Sequence, residues 1–296
     1  MSADSAESGG GHPTNVEAGV DTETGSGRWT VLEQTAVLAR HEFRLSVRNA
    51  WAFALTGLFA LFAVLLSLFS GARVGPSGFD AIVVSLASLA TYLLPLAGLV
   101  FGYDTIVGAD EDGHLDSLFA LPVARSTVVF GKYVGRAFTL GAATVIGFGA
   151  AGVVLLLYVG LLDWPIFTGF VVMSVGLALT FLAVGVLIST LAEEKTHALG
   201  LVLLVWVSYV LVYDLIALGM IATFDLPPAV LSLLVLANPA DVFRVFVLSG
   251  VDTTGGGFAA VYAGTGLSVP LLVVTLVLWN VVPVLLAARA VRRRSV

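Results

Sequence analysis

The chain has 296 residues, 58% of them hydrophobic and only 11% charged, with a mean hydropathy of +1.01. About a quarter of a soluble globular chain is charged, so a soluble fold of this composition is excluded. The absence of cysteine excludes disulfides, thiolate metal sites and cysteine nucleophiles, and the net charge of −6 comes mostly from an acidic leader.

In chain order, residues 1–27 are rich in Gly, Ser and Thr and carry Asp4, Glu7, Glu17, Asp21 and Glu23. They have no apolar core for a signal peptide and read as a disordered leader to a membrane domain over 28–296. An interfacial helix is expected over residues 29–50. Trp29, Leu32, Ala36, Ala39, Phe43 and Val47 share one face, beside a stripe of Arg40, Arg44 and Arg48 placed to reach lipid phosphates.

Charge-free runs then follow at 49–72, 81–103, 137–162, 164–192 and 253–288, and 198–224 is broken only by Asp214. A helix of about 20 residues crosses a hydrocarbon layer of about 30 Å, so each run suffices for one span. The reading is an all-α integral membrane protein. Its six-helix transmembrane bundle has spans near 50–71, 81–103, 137–161, 165–190, 198–222 and 267–288. Pro95, Gly98 and Gly102 suit a kink and close helix contact in the second span.

Between the second and third spans, Asp110, Glu111 and Asp112 are expected to open a short helix with an apolar face of Leu115, Leu118, Phe119 and Leu121. Pro122 stops it, and Ser126 is expected to cap the helix entering the third span. Asp214, the one acid well inside an apolar run, suggests either a place in a transport path or a structural hydrogen bond to Tyr213, Tyr209 or a neighbouring span. Residues 226–237 are apolar but short and contain Pro227 and Pro228, which fits a re-entrant or interfacial helix. Asn238-Pro239 and Asp241 would start a second short helix over 242–248.

The placement of cations fixes an orientation. With both ends inside, twelve of the fourteen Lys and Arg residues are cytoplasmic, leaving only Arg73 and Arg244 outside. The expectation is a multi-pass protein of the cell membrane with both termini in the cytoplasm.

The spacing Gly113-x-Leu115-x-x-Leu118-x-x-x-Pro122-x-x-Arg125, followed by Gly131-Lys132-x-x-Gly135, resembles the signature loop of type-2 ABC (ATP-binding cassette) transporter permeases. Within that family it is most similar to the permeases serving maturation of nitrous oxide reductase. The Arg-rich helix before the first span, Gly78-Phe79-Asp80 and Asn238-Pro239-x-Asp241-x-Phe243-Arg244 agree with it. The resemblance implies a permease subunit, not itself an enzyme, driven by a separate cytoplasmic ATP-binding subunit. It makes the segment after the second span a short cytoplasmic coupling helix. Gly113, Leu115, Leu118, Phe119, Pro122, Arg125, Gly131 and Lys132 would then serve ATPase coupling.

No Walker motif is present, because Gly131-Lys132 is followed by Tyr133 and Ser126 stands where the loop's first glycine would fall. A homodimer is expected, since six spans make half of a twelve-span pathway and two ATPase sites require two docking loops. The bilayer is the other partner. No nucleic acid, cofactor or metal is expected: His12, His41, His114 and His197 are scattered, and Met173 and Met220 are the only internal methionines. Two alternatives remain, a membrane scaffold without transport and an intramembrane protease. The second meets the obstacle that Glu193-Glu194 is followed by Lys195-Thr196-His197 at a cytoplasmic boundary, with no His inside a span.

Overall fold

The computed structural model describes residues 31–48, 50–70, 76–113, 124–158, 164–251 and 266–293. The acidic leader and Leu115, Leu118, Phe119, Leu121 and Pro122 lie outside the described residues. Everything regular among the described residues is helical. The helices are α1 (Val31–Arg48), α2 (Ala50–Ser70), α3 (Pro76–Gly102), α4 (Val107–Glu111), α5 (Arg125–Tyr158) and α6 (Trp164–Leu191). They continue with α7 (Lys195–Val207), α8 (Tyr213–Thr223), α9 (Pro228–Ala237), α10 (Pro239–Ser249) and α11 (Val269–Ala290). A π-helical turn, Ser208–Val212, joins α7 to α8 as one span.

Five helices are long and apolar enough to cross a membrane, namely those built on α3, α5, α6, α7–α8 and α11. The uncharged α2, at 21 residues, reaches about 31 Å at 1.5 Å per residue and completes the expected six. The all-α membrane bundle is therefore observed. The helix entering the third span begins at Arg125, one residue before its expected cap. Ser126 consequently lies in its first turn rather than at the cap, and Thr127 N–H bonds instead to the Ala124 carbonyl.

The segment 226–249 forms the expected short pair. α9 starts at the Pro227-Pro228 step, where a missing N–H costs nothing, and α10 turns away from it by 113°. Asn238 makes the corner, its Oδ1 accepting from Ala240 N–H at 3.0 Å. The second helix begins at Pro239, three residues earlier than the sequence suggests.

Helix α6 is the centre of the bundle, buried against α3, α5, α10 and α11. Phe148 of α5, Phe170 of α6 and Phe243 of α10 pack at its N-terminal half, with ring centroids 5.2 and 6.1 Å apart. Its contact with α3 is backbone to backbone. A Cβ on Gly98 would lie 2.5 Å from the Ala178 carbonyl oxygen, and one on Gly102 would lie 2.9 Å from Gly185 Cα. Lipid is as apolar as the helices, so close packing of small residues is what holds them together.

The amphipathic α1 packs on α5 with a different stripe from the one its periodicity suggests. Leu38, Ala39 and Glu42 face the bundle, whereas Ala36 and Phe43 are exposed together with Arg40 and Arg44. The apolar face was expected as a unit. Of its described side chains, only Ala39 is buried.

Substituting Gly102→Val forces a side chain into fixed backbone and should cost about 1–3 kcal/mol. Gly57→Val, where nothing lies within 4 Å, should be neutral. Thermal unfolding of the two variants in detergent checks the contrast.

Candidate functional site

The segment expected to couple to an ATPase leaves the bundle at the end of α3 and returns at the start of α5. After α3 the chain turns through residues 103–106 into α4, and Gly113 ends the turn with φ of +70°, a conformation that favours glycine. Asp110, Glu111 and Asp112 thus close a short helix, and the helix they were expected to open falls outside the described residues. Arg125 starts α5 on the returning side.

The two ends are held by buried charges. Arg136 Nε lies 2.9 Å from Glu42 Oε1 of α1, while its Nη1 bonds Asp104 and the Phe101 carbonyl. Lys132 Nζ is 3.3 Å from Glu42 Oε2. Burial pushes the Glu42 carboxyl up, but the charges of Lys132 and Arg136 and their hydrogen bonds outweigh it and hold it below the ordinary 4.5. Gly131 and Gly135 bring α5 onto α1: a Cβ on Gly131 would stand 2.5 Å from Leu38 Cβ, and one on Gly135 would stand 2.6 Å from the Ala39 carbonyl oxygen. Gly131 and Lys132 therefore anchor α1. Arg292, beyond α11, donates to Ser126 Oγ at 3.3 Å and joins the last helix to this end of the bundle.

A cavity of about 450 Å³ opens beside the charged group, between α2, α3 and α7, lined by Leu55, Leu93, Ala97, Phe101, Asp104 and Arg136 among others. Asp104 and Arg136 thus border both the coupling segment and a space between spans.

The other candidate, Asp214, lies at the opposite end. Its Oδ2 accepts from Arg244 Nη2 at 3.1 Å, and Arg244 Nη1 donates to Asp241 Oδ1 at 2.8 Å. The π-helical turn matters here, because it displaces the Tyr209 carbonyl, which accepts from Asn238 Nδ2 at 3.0 Å. Tyr213 Oη and Trp279 Nε1 donate to the Leu234 and Leu236 carbonyls at 2.7 and 3.0 Å. Asp214 is thereby a latch between the fifth span and the bent α9–α10 pair. The sequence set Arg244 and Asp241 in one motif without pairing either to Asp214, and the available signal was that Arg244 is one of only two cations expected outside. No group of three metal-binding side chains converges among the described residues.

The architecture is that of a helical membrane bundle with a charged anchor beneath the link between its second and third spans. A family model for ABC-2 family transporter proteins matches residues 36–296, and the chain belongs to that family. Among its relatives, the probable ABC transporter permease protein NosY of Stutzerimonas stutzeri is 38% identical over 275 residues, 89% of this chain and 99% of the relative. The protein of the same name from Pseudomonas aeruginosa is 36% identical over 269 residues, 88% of this chain and 98% of the relative.

Removing Arg244 as Arg244→Met leaves two carboxylates unpaired and should cost about 3–5 kcal/mol. Asp214→Asn keeps an acceptor and leaves Arg244 paired to Asp241, so about 1 kcal/mol is expected. Unfolding midpoints in detergent test the order. Because the folded pKa of Glu42 is lowered, its contribution is full above 4.5 and disappears as pH falls through the folded value. Acid should accordingly loosen α1 from α5, seen as increased proteolysis of α1, and Glu42→Gln should remove that pH dependence.

Proposed function

We propose that this permease is driven by a separate cytoplasmic ATP-binding subunit that grips the segment between α4 and α5. Membership of an ATP-binding-cassette family implies such a partner. The observation that carries the docking position is the charged group beneath the segment. Asp104, Arg136, Glu42 and Lys132 join the ends of α3 and α5 to α1, which gives a stiff base to whatever is pushed there. A rigid lever is what hinge-type transmission requires. Leu115, Leu118 and Phe119 supply the apolar grip, with Gly113, Pro122 and Arg125 setting its ends. The chain itself hydrolyses nothing.

In this reading both termini and the docking segment face the cytoplasm of a cell-membrane protein, as the distribution of Lys and Arg supports. Two copies assemble around one pathway, one per ATPase site. The exposed apolar faces of α7 and α8, the least buried span of the bundle, are available to lipid and to a second copy. The similarity to the NosY permeases and the loop signature together support a role in maturation of nitrous oxide reductase.

Reconstitution with the ATP-binding subunit tests the docking. Leu118→Asp should abolish co-purification and permease-stimulated ATP hydrolysis while leaving the membrane fold intact. Retention of both activities would remove the docking assignment.

A further inference from the structure

Helix α4 is joined to the junction of α6 and α7 by reciprocal bonds across more than 80 residues of chain. Ser189, fully buried near the end of α6, accepts at Oγ from Ile106 N–H at 2.9 Å and from Val107 N–H at 3.1 Å. These amides open α4 and have no partner one turn earlier, so α6 supplies the cap that the local sequence lacks. At the other end, Glu111 Oε1 accepts from Lys195 N–H at 2.7 Å, and Lys195 is the first residue of α7. One helix caps α4, and α4 caps the next. Gly108 completes the contact, since a Cβ there would come within 3.4 Å of Lys195 Nζ. Asp104, two residues before Ile106, is tied to Arg136 of α5.

We propose that Ser189 and Glu111 are positioning residues of the coupling step. They make residues 104–113 and the α6–α7 junction one rigid lever, so that a displacement delivered after Gly113 enters α6 and α7 as well as α3 and α5. This rests on the reading that the ATP-binding subunit docks between α4 and α5. The buried Ile106 and Val107 amides are costly to leave without an acceptor, so their bonds to Ser189 are retained through small displacements, and the exposed Glu111–Lys195 bond fixes the other end of α4 to the same junction.

The chain has no cysteine, so a labelled pair can be introduced directly. Asp112→Cys and Thr196→Cys, both at exposed positions, carry spin labels in the complete complex with its ATP-binding subunit. Distances are measured without nucleotide and with ATP held by a hydrolysis-deficient subunit. A narrow distribution, identical in the two states, is expected. Ser189→Ala should broaden it and lower permease-stimulated ATP hydrolysis about tenfold. Glu111→Ala should act in the same direction, and Glu111→Gln, which keeps the accepting oxygen, should restore both readouts even where Ser189→Ala fails to fold. A distance that changes when ATP binds would overturn the proposal, as would a Glu111→Ala complex with unaltered distance and stimulation. Co-purification is scored first, so loss of the ATP-binding subunit from the unsubstituted complex counts against the docking reading instead.

Discussion

Within the hydrocarbon layer no water satisfies a polar group, and each unpaired N–H or C=O costs several kcal/mol. That single constraint explains where this chain departs from straight helices and what it does there. Hydroxyls inside spans turn back on their own helix, as Thr91, Thr144 and Thr190 do to carbonyls one turn earlier. Where the helix is broken, side chains from elsewhere take over. The π-helical turn in the fifth span offers the Tyr209 carbonyl to Asn238, and the short α9 gives its last carbonyls to Tyr213 and Trp279. The corner of the α9–α10 pair is satisfied by partners from two spans, the fifth through Tyr209 and Tyr213 and the sixth through Trp279.

The same constraint shapes the charges. At each end of the bundle one arginine bridges two acids: Arg136 between Glu42 and Asp104, and Arg244 between Asp214 and Asp241. A planar guanidinium presents donors in two directions and can hold two carboxylates at once, which a lysine ammonium does less well. Each bridge joins elements distant in sequence. Arg136 ties α1 to the exit of α3 through α5, and Arg244 ties the bent α9–α10 pair to the fifth span. The value of such pairs lies less in net stability than in fixing which surfaces meet, since breaking one strands a charge in a poor solvent.

Local rules in the sequence reached the spans, their number and the paired short helices, because those depend on run length, proline and charge. They missed what depends on contacts between distant segments. Asp214 was visible as costly, but Arg244 lies 30 residues on and its reach is set by the bend at Asn238. In α1 the 3.6 period defined an apolar stripe without showing what it would face, since membrane surface and protein both accept Ala36 and Phe43. Glu42 sits on the buried side only because Lys132 and Arg136 wait there. Ser189 gave no signal at all, being one hydroxyl in an apolar helix whose bonding partners are backbone amides. Ser126 was assigned a cap by residue preference, but the helix starts on the Ala124 carbonyl instead.

These fastenings also determine how the molecule can move. Elements joined by buried bonds keep their arrangement, because intermediate positions leave polar groups unpaired while packed interfaces have few discrete alternatives. The α3–α6 contact, closed at Gly98, Gly102 and Gly185, is of the same rigid kind. By contrast, the span formed by α7 and α8 is mostly exposed, and its polar contacts with the bundle are made at Lys195, at Trp206, whose Nε1 donates to the Tyr92 carbonyl at 3.1 Å, and along the Tyr209–Asp214 stretch. Ala198 and Val202 of this span are buried, while its Leu199 borders the cavity together with Leu55 and Leu93 of the facing helices. A displacement at the Lys195 end can therefore change the width of that cavity without breaking a buried polar bond. Motion is cheapest along the span that touches both the lever and the open space.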